Sequence, residues 1–522
     1  MKSLILLGLF CLLFGSEQIS TPSDDSYVAA VVEYRVLANT DTNVDNYVRL
    51  IKEAAEQNAD IVVFPELTLN LGSRQAEVPI YGKLKEYPVP ALHADLYDSV
   101  LVSISSAARN NSIYVVINIQ EKMDCADAPG ENCPEKKLYH FNTNVVFDRN
   151  GAIIDRYRKI NLFGEYSRTP ALKPELGIFT TDFGVTFGHF ICFDLLFQVP
   201  AVQVVQKYNI TDVIFPTMWF SELPYLTAVQ IQEGYAHAMN VNFLAAGANN
   251  VRIGSAGSGI YSGKAGALVS IMPGLPTTRL LVAKVPKVPG EVKDAYPGPI
   301  YDNPADHDYL LLKVDPSLES HKSQLLEAGS QDFVLVDGAT MCRFKVNLSE
   351  SAATNLRYRA FVQDHVQVYA KRHLGVIGCV VTACESDDPT TCPYRYHKDR
   401  KMDIQEIEIE MSSHSFNYNS TLKCNDVEYY AVSFRNNKFP LNPSNYTIQV
   451  KQDGGSDTQN GDKITLLYKL KEPQNDLVSF GIWGRVYSED NKPEVDFTTD
   501  DLNSYYEIEN VVYGLTTEKT DL

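Results

Sequence analysis

Three residues in the first half of the chain could between them break an amide: the carboxylate of Glu66, the amine of Lys159 and the thiol of Cys192. A thiolate attacks a carbonyl well once a base has taken its proton and a positive charge steadies the anion that forms. Glu66 can be that base and Lys159 that charge. Singly, each has a plainer reading: Glu66 after Phe64-Pro65 suits a helix entry, Lys159 in RYRKINLF a solvated hairpin end, and Cys192 in FGHFICFDLLF a buried or disulfide-bonded thiol. What they share is position. All three fall at or just beyond the carboxyl ends of predicted strands, where open α/β sheets collect their sites.

The elements that must position them alternate from about Tyr27 to Val285 between apolar strands and amphipathic helices, the pattern of a layered α/β domain. Val28 to Val36 is a predicted strand. Val44, Tyr47, Val48, Ile51, Ala54 and Ala55 fall on one helical face behind Thr42 as N-cap, and IVVFPE is a buried strand ending at Glu66. A helix over Leu96 to Ala108 precedes the strand IYVVINIQ. VVFDRNGAIIDRYRK makes a hairpin turning at Asn150-Gly151, and GVTFGHFICFD leads into a helix opened by Pro200. VIFPTMW and FLAAGANN are further strands, separated by a helix ending near Asn240. Pro286 to Asp308 is crowded with Pro, Gly and charge and marks a boundary. Beyond it DYLLLKV, DFVLV, CRFKVNL, VQVYAKRH, EIEIEM, YTIQVKQ, KITLLYKL and VSFGIWGRVY are short alternating segments, which predict a β-rich second domain.

Compartment follows from the N-terminus. Lys2, the apolar run SLILLGLFCLLF and the small Gly15-Ser16 have the build of a secretory signal, residues 1–20, removed with Cys11. The mature chain is therefore expected outside the cell, where disulfides persist. Five Asn-x-Ser/Thr sequons, at Asn110, Asn209, Asn347, Asn419 and Asn445, are expected to carry glycans at the surface. Eight cysteines remain, and their even number leaves Cys192 room for a disulfide partner. CADAPGENC is expected to be a surface loop closed by a Cys125–Cys133 bond. A net charge of −19 with no long basic run argues against nucleic acid and anionic membranes. No later stretch is apolar enough to span a bilayer, and VVYGLTTEKTDL lacks a lipid-anchor tail. The histidines form no metal-spaced pair, and GSAGSG has the wrong spacing for a dinucleotide loop, so neither metal nor cofactor is expected.

VFPELTL, RYRKINLFGE and FGHFICFDLLF resemble, in order, the three catalytic blocks of the nitrilase superfamily, whose members cleave non-peptide carbon–nitrogen bonds with a Glu-Lys-Cys triad. CFDLLFQVPA, VIFPTMWFSELPYLTAV, NFLAAGANN, CVVTAC and GRVYSED narrow the resemblance to its secreted branch, the vanins (pantetheinases) and biotinidase. It implies an α-β-β-α sandwich over residues 25–290, a β-rich domain over 305–522, and a small-molecule amide as substrate. It also implies an unpaired Cys192 as nucleophile, Glu66 as proton acceptor, and Lys159 with the Phe193 N–H on the oxyanion. Glu165 then corresponds to the family's supporting glutamate, and Trp219 to its acyl-pocket loop. Vanins act on pantetheine and biotinidase on biocytin, and pantetheine is the expected substrate. A secreted binding protein without activity is the non-enzymatic alternative. Ile191 stands where the family has Thr, Met218 where it has Ala, and the spacing after NLF is closer to biotinidase.

Overall fold

The computed structural model describes residues 19–490 apart from 71–73, 129–132, 294–295, 302–307, 350–355, 397–401 and 453–462. The run SLILLGLFCLLF, expected to be the core of a secretory signal, and the VVYGLTTEKTDL terminus lie outside the described residues. Strand Ser26–Arg35 shows how the layers arise, because side chains alternate across a strand and here both faces are buried. Ala30 and Val32 pack with Tyr47, Leu50 and Ile51 of helix Thr40–Glu56 and with Ile104 of helix Ser99–Asn111. Ala29 and Val31 face the other way, onto Ile214, Leu244 and Ile260 of a second sheet. That sheet turns Val213, Phe215 and Phe243 toward Ile231 and Tyr235 of helix Ala228–Met239. The result is the expected α-β-β-α sandwich. Ser26–Arg35 pairs in parallel with Ile61–Val63 and antiparallel with Arg279–Pro286, and meets Asn242–Asn249 at Tyr34 and Arg35, while Tyr114–Asp124, Leu138–Phe147 and Ile153–Arg158 continue the first sheet.

Local expectations fail where capping and turn chemistry decide. Helix Thr40–Glu56 is capped by Asn39, whose side chain accepts from the Thr42 amide at 2.8 Å, so Thr42 lies inside the helix it was expected to cap. The strand before Glu66 stops at Val63, and the helix expected from Leu96 starts at Ser99 behind Asp98. At Asn150-Gly151 the hairpin turns as expected, with Gly151 at φ 76°, where a side chain would run into the Ser105 carbonyl. DYLLLKV keeps only Lys313–Val314 as strand, and VQVYAKRH is two strand ends joined at Ala370 and Lys371. Both turn residues have positive φ, 48° and 68°, the requirement of a tight two-residue hairpin.

The β-rich part is two five-stranded antiparallel sheets packed face to face around one core. A Cys342–Cys379 disulfide joins the two sheets, Cys384–Cys392 closes a loop beside them, and Cys125–Cys133 closes the CADAPGENC loop. Cys192 and Cys424 remain free and buried. Several side chains tie this sandwich to the first, Arg485 among them. Arg485, fully buried in strand Leu477–Val486, donates to the Leu196 carbonyl at 2.9 Å, to the Gly375 carbonyl and to both Asp490 oxygens at 2.8 and 2.7 Å. Breaking a buried ion pair from one side leaves a charge without its partner. Arg485→Ala is therefore expected to cost about 3–5 kcal/mol, visible as a lower denaturant midpoint; an unchanged midpoint would refute the assignment.

Candidate active site

Three loops, each leaving the end of a strand, converge on one point. Glu66 follows Ile61–Val63, Lys159 follows Ile153–Arg158, and Cys192 follows Thr186–His189. The Lys159 ammonium donates to Glu66 Oε1 at 2.8 Å and to Glu165 Oε1 at 2.6 Å, although Glu66 lies 93 positions away in sequence. Glu66 Oε2 accepts from the Met218 amide at 2.8 Å. The Cys192 thiol faces the Glu66 carboxylate and the Thr217 hydroxyl, with the Met218 carbonyl 3.6 Å from its sulfur.

Cys192 sits at φ 47°, a left-handed conformation that costs a residue with a Cβ on the order of 1–3 kcal/mol. Asp194 holds the chain there. Its Oδ2 accepts from the Ile191 amide at 3.2 Å and the Tyr157 hydroxyl at 2.6 Å, and its Oδ1 from the Asn161 amide and side chain, both at 2.9 Å. Burial raises this carboxyl to about 6 against those donors and Lys159. Asp194 is thus a brace for the turn that presents the thiol.

The carbon-nitrogen hydrolase family signature matches residues 28–284, and that of the vanin C-terminal domain residues 310–490. The chain is 33% identical to Vanin-like protein 1 of Drosophila melanogaster, over 93% of this chain and 90% of the relative. The chain belongs to the vanin family. It is also similar to pantetheinase of Mus musculus (28% identity, 90% of this chain, 91% of the relative) and to biotinidase of Homo sapiens (31%, 62% and 64%). It is accordingly a hydrolase of carbon–nitrogen bonds other than peptide bonds, acting on amides.

In this vanin-family site, burial alone would discharge Lys159, but the Glu165, Glu66 and Cys192 groups around it hold its ammonium well above the ordinary lysine range. Burial works against Glu165 too, yet Lys159, Asn142 and Arg168 bring its carboxyl below the usual value. For Cys192, burial and the Glu66 charge raise the thiol far beyond an ordinary cysteine, with Lys159 and Thr217 pulling the other way. That direction favours the thiol form of Cys192 beside the Glu66 carboxylate.

Asn142 escaped the sequence reading. Buried in strand Leu138–Phe147, its amide donates to Glu66 Oε1 at 2.7 Å and Glu165 Oε2 at 3.0 Å, while its own oxygen accepts from Asn118 at 2.8 Å. Asn118 also accepts from the Leu67 amide at 2.8 Å, fixing the residue after Glu66 at φ 52°. The signal was present: amides at Asn142 and Asn144, alternating on one face of a buried strand, need internal partners. Met218 enters only through its backbone, so the departure from Ala there leaves the contacts to Glu66 and Cys192 in place. GSAGSG is structural: Glu33 accepts from the Gly257 amide at 3.2 Å and the Ser258 hydroxyl at 2.5 Å.

Beside Cys192 opens a cleft lined by Phe193 and Trp219, by Phe163, Phe220, Glu222 and Leu226, and by Lys313 and Tyr369. Trp219 is fixed by its indole N–H on the Leu226 carbonyl, 2.8 Å away. Tyr369 arrives on the hairpin that turns at Ala370-Lys371. Of the sequons, Asn110 and Asn209 are exposed and Asn347, Asn419 and Asn445 half-buried. Among the described residues one group of His, Cys, Asp and Glu side chains is close enough to share an ion: Asp364, His414 and Glu489, in the β-rich part. There Asp364 already accepts from the Ala339 amide and the Thr340 hydroxyl and faces His414 at 3.8 Å. Among the described residues no helix is long and apolar enough to cross a membrane.

Lys159 owes its charge first to Glu165, so removing that carboxylate has a signed consequence. A raised lysine stays charged until pH climbs through its folded value, which in the native site lies above the ordinary 10.5. Glu165→Gln is expected to bring the alkaline limb of kcat/KM for an amide substrate down by about a unit or more, with the acid limb shifting less. An alkaline limb that does not move would show that Glu165 leaves the lysine's charge unaffected.

Proposed function

We propose that the chain hydrolyses a linear secondary amide through a thioester on Cys192, and that its substrate is pantetheine, released as pantothenate and cysteamine. The observation that carries the reading is the free thiol facing a carboxylate that is itself bound to a buried ammonium. Glu66 takes the thiol proton as sulfur attacks the carbonyl carbon. The Lys159 ammonium and the Phe193 amide then receive the oxyanion. As the tetrahedral species collapses, the carbon–nitrogen bond breaks and Glu66 returns its proton to the departing amine. Water deprotonated by Glu66 attacks the thioester, and the acid leaves with the thiol restored. Glu165 keeps Lys159 charged throughout.

Pantetheine is favoured over biocytin by the mouse pantetheinase match, which covers 90% of this chain against 62% for human biotinidase. The cleft supports it too, because its aromatic walls suit a branched hydrocarbon and its polar lining suits hydroxyls and an amide. The reading includes a signal at residues 1–20, a hydrolase unit over 25–290, a β-rich unit over 305–522 and glycans at the five sequons of a secreted protein. Three disulfides support an oxidising compartment.

Offered pantetheine and biocytin at equal concentration, the protein is expected to release cysteamine faster than lysine by mass spectrometry. Faster lysine release would overturn the substrate and keep the amidase. Cys192→Ala should abolish both releases with the fold intact by circular dichroism. Glu66→Gln and Lys159→Ala should each lose about 10²- to 10⁴-fold in kcat. A Glu66→Gln enzyme of full activity would refute the general-base role.

A further inference from the structure

The cleft beside Cys192 has walls of two unlike kinds. Its lining combines the rings of Phe163, Phe193, Trp219 and Phe220 with the polar side chains of Glu222, Lys313 and Tyr369, drawn from three separate segments. The backbone fixes this polar part. Glu222–Leu223 pairs in parallel with Lys313–Val314, the Lys313 amide donates to the Ser221 carbonyl at 2.9 Å, and the Asp315 amide donates to the Leu223 carbonyl at 2.9 Å. The Glu222 loop is also closed on itself, through reciprocal amide–carbonyl bonds with Leu226.

Within that frame the Glu222 carboxyl is uncommitted: among the described residues it makes no hydrogen bond and has no cation within 4.0 Å. Its neighbours are engaged elsewhere. Asp315 accepts from the Ser317 amide and hydroxyl and from Gln367, and the Lys313 ammonium lies over the Phe220 ring, 5.0 Å from its centre. A mostly buried carboxyl that the protein leaves unpaired at the wall of a substrate cleft is a group awaiting a ligand.

The geometry points to Glu222, flanked by Lys313 and Tyr369, as the group that recognises the acyl chain, a neutral arm bearing hydroxyls. This rests on the pantetheine reading and gives its specificity a residue. The acyl arm is the half that needs such a grip, since it remains bound as the thioester after the amine has left. Charge agrees with a neutral arm. Burial and the Asp315 carboxylate push Glu222 up to about 8 against Lys313, with the Tyr369 phenol also facing it, so at neutral pH the empty cleft holds mainly the acid. A carboxylic acid both donates to and accepts from a hydroxyl, whereas an ammonium would need the anion.

The test compares pantetheine with the same amide lacking both hydroxyls, in the full-length wild type, Glu222→Gln and Glu222→Leu. Wild type is expected to prefer pantetheine by about tenfold to a hundredfold in kcat/KM. Glu222→Leu should bring that ratio near one, the loss falling on KM for pantetheine rather than on kcat, and Glu222→Gln should keep most of it. A Glu222→Leu enzyme with the wild-type ratio, or one in which both substrates lose equally, overturns the proposal while the pantetheine reading stands. A wild type that hydrolyses neither compound sinks that reading, and this proposal with it.

Discussion

The buried Lys159 ammonium is the constraint on which the rest of the site depends. Taking an ammonium out of water costs on the order of several kcal/mol even after the protein relaxes, and Lys159 is about 1% exposed. Only close carboxylates can offset that, and Glu66 and Glu165 do so at 2.8 and 2.6 Å. Those carboxylates are then short of donors of their own. Asn142 bridges them, the Met218 amide takes the remaining oxygen of Glu66, and Arg168 shares Glu165 Oε2 with Asn142. Satisfying one charge thus fixes five segments of chain. The same arrangement leaves the Glu66 carboxylate beside a thiol, with an ammonium 2.8 Å away to receive negative charge.

The β-rich sandwich is part of the site. Arg485 reaches the carbonyl of Leu196 at the end of the nucleophile turn, and Arg372 lies over the Phe197 ring, 5.2 Å from its centre, while donating to Asn161. Asn161 in turn donates to Asp194, the brace of that turn. A strained residue persists only where its surroundings over-determine it, and the φ of Cys192 is over-determined from both halves of the molecule. Lys313 and Tyr369, from beyond the hydrolase signature, close the cleft in which that thiol acts.

The layered fold was legible because alternation is a local property. Val28 to Val36 could be assigned from its own residues, as could the Asn150-Gly151 turn, whose positive φ only certain residues accept without strain. Where two short-range patterns compete, the reading slipped. Thr42 and Asn39 are both good caps, and the choice between them is made by where the chain leaves the preceding strand. VQVYAKRH looked continuous because Ala370-Lys371 carries none of the Gly or Asn that usually marks a tight turn, so the hairpin that delivers Tyr369 had no local signature.

By itself the sequence determined the chemistry: a carboxylate, an amine and a thiol at strand ends, in blocks resembling those of one superfamily, within a chain whose alternation specifies two layered parts. The tertiary structure decided how that chemistry is held and what it can grip. It left Cys192 unpaired while Cys125–Cys133, Cys342–Cys379 and Cys384–Cys392 joined, a choice that parity left open. It also brought Asn142 under both carboxylates and set Glu222 against Lys313 and Tyr369. The reason is one of range. Strand and helix patterns repeat over a few residues and are written in each segment, whereas the partners of a buried charge lie as far apart as Arg485 and Leu196, 289 positions. Only burial in a common core makes such groups each other's sole substitute for water.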